Sequence, residues 1–455
     1  MSSIIDSCIF RDIFGSGPMR DIWSDKRRTE YYLEWEAALA IAQARLAIIP
    51  EEARDVIVEK CKIENMDFEK LKRDTELIGY PVLGVVQQIV ALCPHELGGW
   101  CHFGATTQDV TDTATVMAIR ASLDLIENQL DELMHHIANL AEKYREQPMV
   151  ARSNMQQAVP ITFGFKMARL LATLQRHRKR MAQIRERVLT LEFSGAAGTL
   201  ASITDSLKAT QCQEQLAQEL DLRVPEIAWH TERDGIVETG TFLAMLCGTL
   251  SKCATDVKLM MQTEVGEVSE PFVPHRGSSS AMPNKVNPIS CVYIHAIAAT
   301  VRQHAAALME SMVQDHERSS GPWVIEWIVL PEIFILTAGA LDQACHLMGG
   351  LVVHPEAMLR NLYLTNGLVV SEAVMIRLAP LLDRKRAHDL VYDCCRRASS
   401  EHKTLAEILK SDPQVTELIS DQQIDQLCDP RHYLGLSCDM VDNVLKEYKR
   451  SSRKE

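Results

Sequence analysis

Residues 277–288 hold the densest unusual chemistry in the chain, reading Gly-Ser-Ser-Ser-Ala-Met-Pro-Asn-Lys-Val-Asn-Pro. Gly277 and three serines make a polar, pliable loop that no helix or strand pattern claims, and Pro283 interrupts it. Asn287-Pro288 reads as a helix start, with Asn at the N-cap and Pro at the first helical position. The first N–H groups of a helix have no intrahelical partner, so its N-terminus is a ready anion site. Lys285 adds a point charge, Asn287 an amide, and Ser279 and Ser280 hydroxyls on a segment able to close over a bound acid. A flexible loop before an ordinary capped helix is the competing account of the same residues.

The stretch resembles the signature of the fumarase/aspartase superfamily, Gly-Ser-Ser-x-Met-Pro-x-Lys-x-Asn. Ser279, Ser280, Met282, Pro283, Lys285 and Asn287 match it, and Ser278 stands at a second glycine position. The resemblance implies that Ser279 is the general base, that Lys285 and Asn287 hold a substrate carboxylate, and that Ser280 and Met282 line the same site. Residues 102–113, His-Phe-Gly-Ala-Thr-Thr-Gln-Asp-Val-Thr-Asp-Thr, resemble the superfamily's first signature. Thr107 takes the place of a serine and keeps its hydroxyl. His102 becomes a catalytic candidate, and Thr106, Thr107 and Gln108 become carboxylate-binding candidates. By composition alone this run is also an ordinary helix entrance.

Residues 149–158 sit at the second signature, usually Gly-Arg-Thr-His-x-Gln. Arg152 and Gln156 match, Ser153 replaces threonine, and Asn154 replaces the histidine tied to the general acid step. Asn154 hydrogen-bonds but transfers no proton near neutral pH. The run Trp229-His-Thr-Glu-Arg-Asp234 is similar to the 3-carboxy-cis,cis-muconate cycloisomerase branch, as is Met261-Gln-Thr-Glu-Val-Gly-Glu-Val268. His230 and Arg233 therefore join the candidates. Arg20, in a Met-Arg-x-Ile-Trp-Ser run, and Arg318, in His-Glu-Arg, resemble cations of the same branch and of adenylosuccinate lyase. For Arg20 a surface salt bridge is the competing account.

Long helices must position these segments. Ile119, Leu123, Ile126, Leu130, Leu133, Ile137, Leu140 and Tyr144 alternate steps of four and three. Phe163 to Val188 and Ile236 to Val257 repeat the pattern, which means long helices packed at shallow angles. Apolar residues flanking the seams, among them Leu125, Leu171 and Leu246, point to burial by other subunits. His177, on a seam, reads as a satisfied core histidine. Shorter helices are expected around Pro50, Pro81 and Pro94, and after Pro355 with breaks at Gly367, Pro380, Pro413 and Pro430. No strand pattern is long enough to build a sheet. The expected fold is all-α, in three helical domains: residues 1–112, a central long-helix bundle at 113–353, and a small C-terminal domain at 354–455. The resemblance implies a homotetramer with a shared multi-helix core.

The chain has 455 residues, 46% hydrophobic and 24% charged, with a net charge of -13. That charge argues against nucleic acid or anionic membrane as a partner, so an anionic substrate needs a local cluster of cations. Thirteen cysteines are scattered without a C-x-x-C pair or metal spacing. The N-terminus lacks the basic and apolar regions of a secretory signal, and no apolar run reads as a membrane span. A cytoplasmic protein with no metal or organic cofactor is expected, and Lys449–Glu455 reads as a solvated tail.

The chemistry implied is proton transfer beside a carboxylate through a doubly negative aci-carboxylate, with donors aimed at the developing charge. Ser279 has no histidine–carboxylate partner in its motif, so a hydrolase triad is not expected. Its alkoxide needs stabilisation by about 10 kcal/mol to serve as a base, from a pKa gap of about seven units. Lactonisation of 3-carboxymuconate is the favoured reaction, because the Trp229–Asp234 and 261–268 runs resemble that branch. Decarboxylation of an unsaturated tricarboxylate such as aconitate, C–N cleavage of the adenylosuccinate kind, and a non-catalytic helical assembly are the alternatives. Val286, where the cycloisomerase branch usually has arginine, fits a changed substrate.

Overall fold

The computed structural model describes residues 3–451. Its elements begin with α1 (Gly17–Ile22), α2 (Asp25–Arg45), α3 (Glu51–Lys60), α4 (Phe68–Ile78), α5 (Pro81–Leu92) and α6 (His95–Gly98). Ser24 caps α2 by accepting from Arg27 N, and Pro50, Pro81 and Pro94 mark three helix starts, as the sequence suggests. The long helices are α7 (Thr107–Lys143), α8 (Phe163–Val188), α10 (Asp234–Met260), α11 (Ile289–Glu310) and α12 (Trp323–Gly349), with α9 (Ser206–Glu219) between α8 and α10. Shorter helices follow from α13 (Pro355–Leu362) and α14 (Ser371–Leu382), and Ser437–Ser451 is the last. Lys449 to Ser451, expected as tail, are thus helical; Met1, Ser2 and residues 452–455 lie outside the described residues.

The three seams are buried. Ile119, Leu123, Ile126 and Leu130 have no exposure, nor do Phe163, Leu174 and Met181, nor Leu243, Cys247 and Ala254. His177 is buried and pairs through Nε2 with Thr249 Oγ1 at 2.8 Å, as a core histidine.

The chain divides into two compact units. Met1–Leu130, His177–Leu250 and Tyr293–Asp342 form one; Asp131–Arg176, Ser251–Val292 and Gln343–Glu455 form the other. The first has a core of Trp35, Leu39, Ile57, Ile89, Val110 and Phe193 among others. The second holds a smaller core around Val374, Leu378, Val391, Leu405 and Ile408.

Three differences from the sequence expectation have physical causes. Residues 148–162 form a β-hairpin, β1 (Pro148–Ser153) paired antiparallel with β2 (Gln156–Thr162), and a second short ladder pairs β3 (Val268–Ser269) with β4 (Val352–Val353). The hairpin turn is Asn154-Met155, both with positive φ (49° and 64°), the geometry of a type I′ turn. Asn tolerates that conformation, whereas the Asn-Met pair lacks the glycine that usually flags such turns. Pro380 lies inside α14 instead of ending it, and Pro331 lies inside α12. The α12 helix is also long and apolar enough to cross a membrane by length and composition. With 67% of its most apolar window buried, it reads as a core helix.

The start of α8 packs closely on the end of α7. A Cβ on Gly164 would lie 2.6 Å from Arg145 Cα and 2.7 Å from the carbonyl oxygens of Ala141 and Tyr144. These are backbone atoms with no rotamer to change. Gly164→Ala should therefore destabilise by about 2 kcal/mol or more. Chemical denaturation would show it; a midpoint within error of wild type would contradict the packing.

Candidate functional site

The first unit is organised around a buried arginine. Arg233 donates Nε and Nη2 to Glu326 at 2.8 and 2.6 Å, and Nη1 and Nη2 to Asp112, each at 2.9 Å. A fifth bond, Nη1 to Trp229 O at 3.4 Å, uses the last N–H, and the Trp229 ring lies 5.0 Å from the guanidinium carbon. Arg233 is 1% exposed. Burial alone would lower its pKa, but the two carboxylates hold it above the ordinary arginine value. Arg233, expected as a substrate ligand, has every donor taken within the chain. Gln108 is engaged likewise. It is buried, its amide N–H groups go to Asp112 and His230 O, and its carbonyl accepts Arg318 Nε at 2.6 Å.

Asp109, at the start of α7, accepts backbone N–H groups from Thr106, Ser194 and Gly195. His230 Nε2 lies 2.7 Å from its Oδ1, and Glu192 Oε1 lies 3.6 Å from the same nitrogen. Burial lowers the His230 pKa, but Asp109 and Glu192 outweigh it and the net direction is up. Burial pushes Glu192 up to about 7, against His230. The ligand atoms of Asp109, Glu192 and His230 lie within 4.8 Å of one another, close enough to surround an ion. The donor set does not fit one: both Asp109 oxygens already accept N–H groups, and Oδ1 also faces His230 Nε2 at 2.7 Å. His230, a catalytic candidate, is thus buried against two carboxylates.

His102 Nδ1 lies 2.6 Å from Glu36 Oε1, and its side chain keeps 14% exposure. Arg318 donates Nη1 to Thr106 Oγ1 at 3.0 Å and to Ala196 O at 3.2 Å. Its Nη2 has no partner among the described residues, so Arg318, Thr106 and Thr107 line one half-buried surface at the α7 entrance. Arg20 is held elsewhere: Nη2 donates to the carbonyls of Ile5 and Arg11. Its pKa is lowered by burial and by the Arg11 charge, and its Nε and Nη1 are buried without a hydrogen-bond partner among the described residues.

The second unit carries the signature loop. Asn287 N and Nδ2 both donate to Gly277 O, at 2.8 and 3.0 Å, and Ser278 bridges Val286. Gly277 has φ +72°, and a Cβ there would meet Asn287 O at 2.4 Å, so only glycine fits this neck. Ser279 Oγ accepts from Met282 N at 3.1 Å and Ala281 N at 3.4 Å. Two aligned N–H groups are what a serine alkoxide needs. Ser280, Met282 and Lys285 are exposed on the loop. The helix start expected at Pro288 as an anion site is already occupied: α11 begins at Ile289, and Ser290 N and Cys291 N donate to the carboxylate of Glu270.

On the hairpin, Arg152 makes a two-pronged bond to Glu267 at 2.7 and 2.8 Å, and Asn361 joins at 3.0 Å. Arg152, expected as a substrate ligand, therefore braces β1 with its Nη1 and Nη2. Ser153, Asn154 and Gln156 are exposed around the turn, and Asn154 Nδ2 donates weakly to Ser153 Oγ at 3.4 Å.

The groups that sequence reasoning misses are all acidic: Glu36, Glu192, Glu267, Glu270 and Glu326. Glu267 lies within the 261–268 run but is not singled out there, the other four lie outside the quoted runs, and each partners a residue distant in the chain, such as Glu267 with Arg152 115 residues away.

The raised groups set a pH dependence. Glu192, His102 and His230 each bind their proton more tightly folded than unfolded, so each contributes stability at low pH that is lost as pH rises through its folded pKa. For Glu192 that window runs from about 4.5 to about 7. Glu192→Gln removes one such group. The melting-temperature difference, wild type minus variant, should fall as pH rises from 5 to 8; a constant offset would show that Glu192 does not titrate there.

Residues 15–302 match the family model described as Lyase, and residues 367–444 match Adenylosuccinate lyase C-terminus. The chain is 55% identical to trans-aconitate decarboxylase 1 of Mycosarcoma maydis over 434 residues, 95% of this chain and 88% of that one. It is 41% identical to the 3-carboxy-cis,cis-muconate cycloisomerase of Pseudomonas aeruginosa, over 98% of both chains. The crystal structure of the 3-carboxy-cis,cis-muconate lactonizing enzyme from Pseudomonas putida superposes with a TM-score of 0.90 at 39% identity, covering 98% of this chain and 99% of that one. With the signature loop, the α7 entrance and the helical fold in place, the chain belongs to the fumarase/aspartase superfamily and is one of its lyases.

Proposed function

We propose that this lyase removes carbon dioxide from a small unsaturated tricarboxylate of the trans-aconitate type. The observation that carries the reading is 55% identity to a trans-aconitate decarboxylase over 95% of this chain, against 41% to a cycloisomerase over 98% of it. Sequence pattern alone favours lactonisation; the identities reverse that order. The bond between the methylene carbon and its carboxylate breaks, carbon dioxide leaves, and the electron pair stays on an allylic carbon. It delocalises through the double bond into the far carboxylate as an aci-carboxylate. A proton then adds beside that carboxylate, giving 2-methylenesuccinate and consuming one proton.

In this direction Ser279 delivers the proton that it would remove in an elimination. Its oxygen then faces the N–H groups of Ala281 and Met282. Lys285, Asn287, Thr106 and Arg318 are the groups for the carboxylates. Asn154 is no handicap, because carbon dioxide leaves without needing a proton. The candidate groups divide between the two units, and the superfamily likeness implies a site built from segments of several subunits of a homotetramer. Half-exposed apolar side chains on the long helices, Met245, Met309 and Ile328 (63% exposed), support such burial. Thirteen cysteines, none in a disulfide, support a reducing, cytoplasmic setting.

Lactonisation of 3-carboxymuconate is the second reading, favoured by the Trp229–Asp234 run and by the structural likeness to the lactonizing enzyme. Purified protein given trans-aconitate should release carbon dioxide and form 2-methylenesuccinate. Rapid loss of the 3-carboxymuconate chromophore with no carbon dioxide from aconitate would establish the second reading instead. Robust cleavage of adenylosuccinate would overturn the inference from Asn154.

Ser279→Ala should cut kcat by about 100-fold or more with the assembly unchanged. A loss under about tenfold would move the proton transfer to another group. Light scattering should give a tetramer mass, and a monomer at micromolar concentration would defeat the shared-site account.

A further inference from the structure

The cations available to a trianionic substrate are fewer than the arginine count suggests. Arg233 has every donor taken; Arg20 is tied to main-chain carbonyls through Nη2, and its Nε and Nη1 are buried. In the first unit Arg318 keeps one free nitrogen among the described residues. His102 is the remaining group able to carry charge at the α7 entrance, and its surroundings are built for that.

Glu36 lies in the middle of α2 next to Trp35, 1% exposed, on a face that is otherwise core. A buried carboxylate is costly unless paired, and an apolar residue would serve stability as well or better. Its Oε1 meets His102 Nδ1 at 2.6 Å, and Cys101 Sγ lies 3.9 Å from Oε2. The bond to Glu36 fixes Nδ1 as a donor and leaves Nε2 without a partner among the described residues. His102 itself is held at φ +62°, and Gln43 of α2 donates to Phe103 O at 2.7 Å, so the backbone at this position is anchored to the same helix.

We propose that Glu36 is the positioning residue for His102, holding the ring as a charged donor whose Nε2–H meets a substrate carboxylate. The proposal rests on the decarboxylase reading for its substrate class but not for its geometry. The groups facing His102 are Glu36 from α2 and Asp109 from α7, with the Trp35 ring 6.3 Å away and the Cys61 and Cys101 thiols kept neutral by burial beside Glu36. Burial works to lower the His102 pKa; Glu36, with Asp109 behind it, turns the net direction upward. The charged ring adds a charge-assisted bond where the aci-carboxylate develops.

Two readouts test this on the intact protein, comparing wild type with Glu36→Gln and Glu36→Asp. The first is the pH dependence of kcat/KM on whichever of trans-aconitate or 3-carboxymuconate the wild type turns over. Glu36→Gln should lose about tenfold or more at pH 8 and under about threefold at pH 5.5, where an unassisted imidazole is still protonated. Glu36→Asp should retain much of the activity at pH 8. The second is carbethoxylation of His102 followed by mass spectrometry, which reads its neutral fraction without any substrate. The midpoint should fall by about one pH unit in Glu36→Gln.

A loss that is equal at all pH values, accompanied by a lower melting temperature, would assign Glu36 a purely structural role and overturn the proposal. So would a shifted midpoint with an unchanged kcat/KM profile. If trans-aconitate is inert while 3-carboxymuconate shows both shifts, the pair stands and the substrate reading fails.

Discussion

The bond network of Arg233 is the constraint on which the first unit depends. One guanidinium satisfies two buried carboxylates, Asp112 on α7 and Glu326 on α12, from the residue just before α10. Removing Arg233 would leave both carboxylates buried without their cation, typically a loss of about 3–5 kcal/mol. Three long helices are therefore fixed relative to one another by a single charge. Trp323 Nε1 donates to Asp112 as well, at 3.0 Å. From Asp112 the bonds run through Gln108 to Arg318 and Thr106. The half-buried edge at the α7 entrance is thus held by a dry ionic centre, which suits groups that must not reorganise during reaction.

The second unit uses the same device at smaller scale. Arg152 and Glu267 brace the hairpin, and Glu270 occupies the N-terminus of α11. Acidic side chains hold the scaffold in each unit. On the decarboxylase reading, Lys285, Arg318 and His102 are left for the substrate's carboxylates, a local positive charge that a chain with a net charge of -13 needs. The signature loop is gripped only at its neck, by Gly277 and Asn287, while residues 280–286 are exposed. Such a loop can move over a substrate without breaking the fold beneath it.

Much of the fold was legible because it is periodic. Ile119 to Leu130 and Leu243 to Val257 are buried at the steps the sequence displays. The hairpin was not, because its turn uses Asn154-Met155 without glycine and its strands are short. That turn also changes the meaning of Asn154, which sits there with φ +49° for a backbone reason as well as a chemical one. The signature residues were legible through their resemblance to a superfamily, but their availability was not. Arg233, Arg152 and Gln108 read as ligands for a substrate, and in the structure they bond other groups of the chain. Their partners Glu326, Glu267, His230 and Arg318 lie 93 to 210 residues away, and no local pattern announces a pairing at that distance.

The central claim is that the site stabilises an aci-carboxylate and returns a proton beside it. Turnover of trans-aconitate in deuterium oxide, read by proton and deuterium NMR of the product, tests this most directly. The account predicts 2-methylenesuccinate with one deuterium on the saturated carbon beside the carboxylate and none on the terminal methylene. Deuterium on the carbon that lost carbon dioxide, as a methyl group on an unshifted double bond, would contradict it.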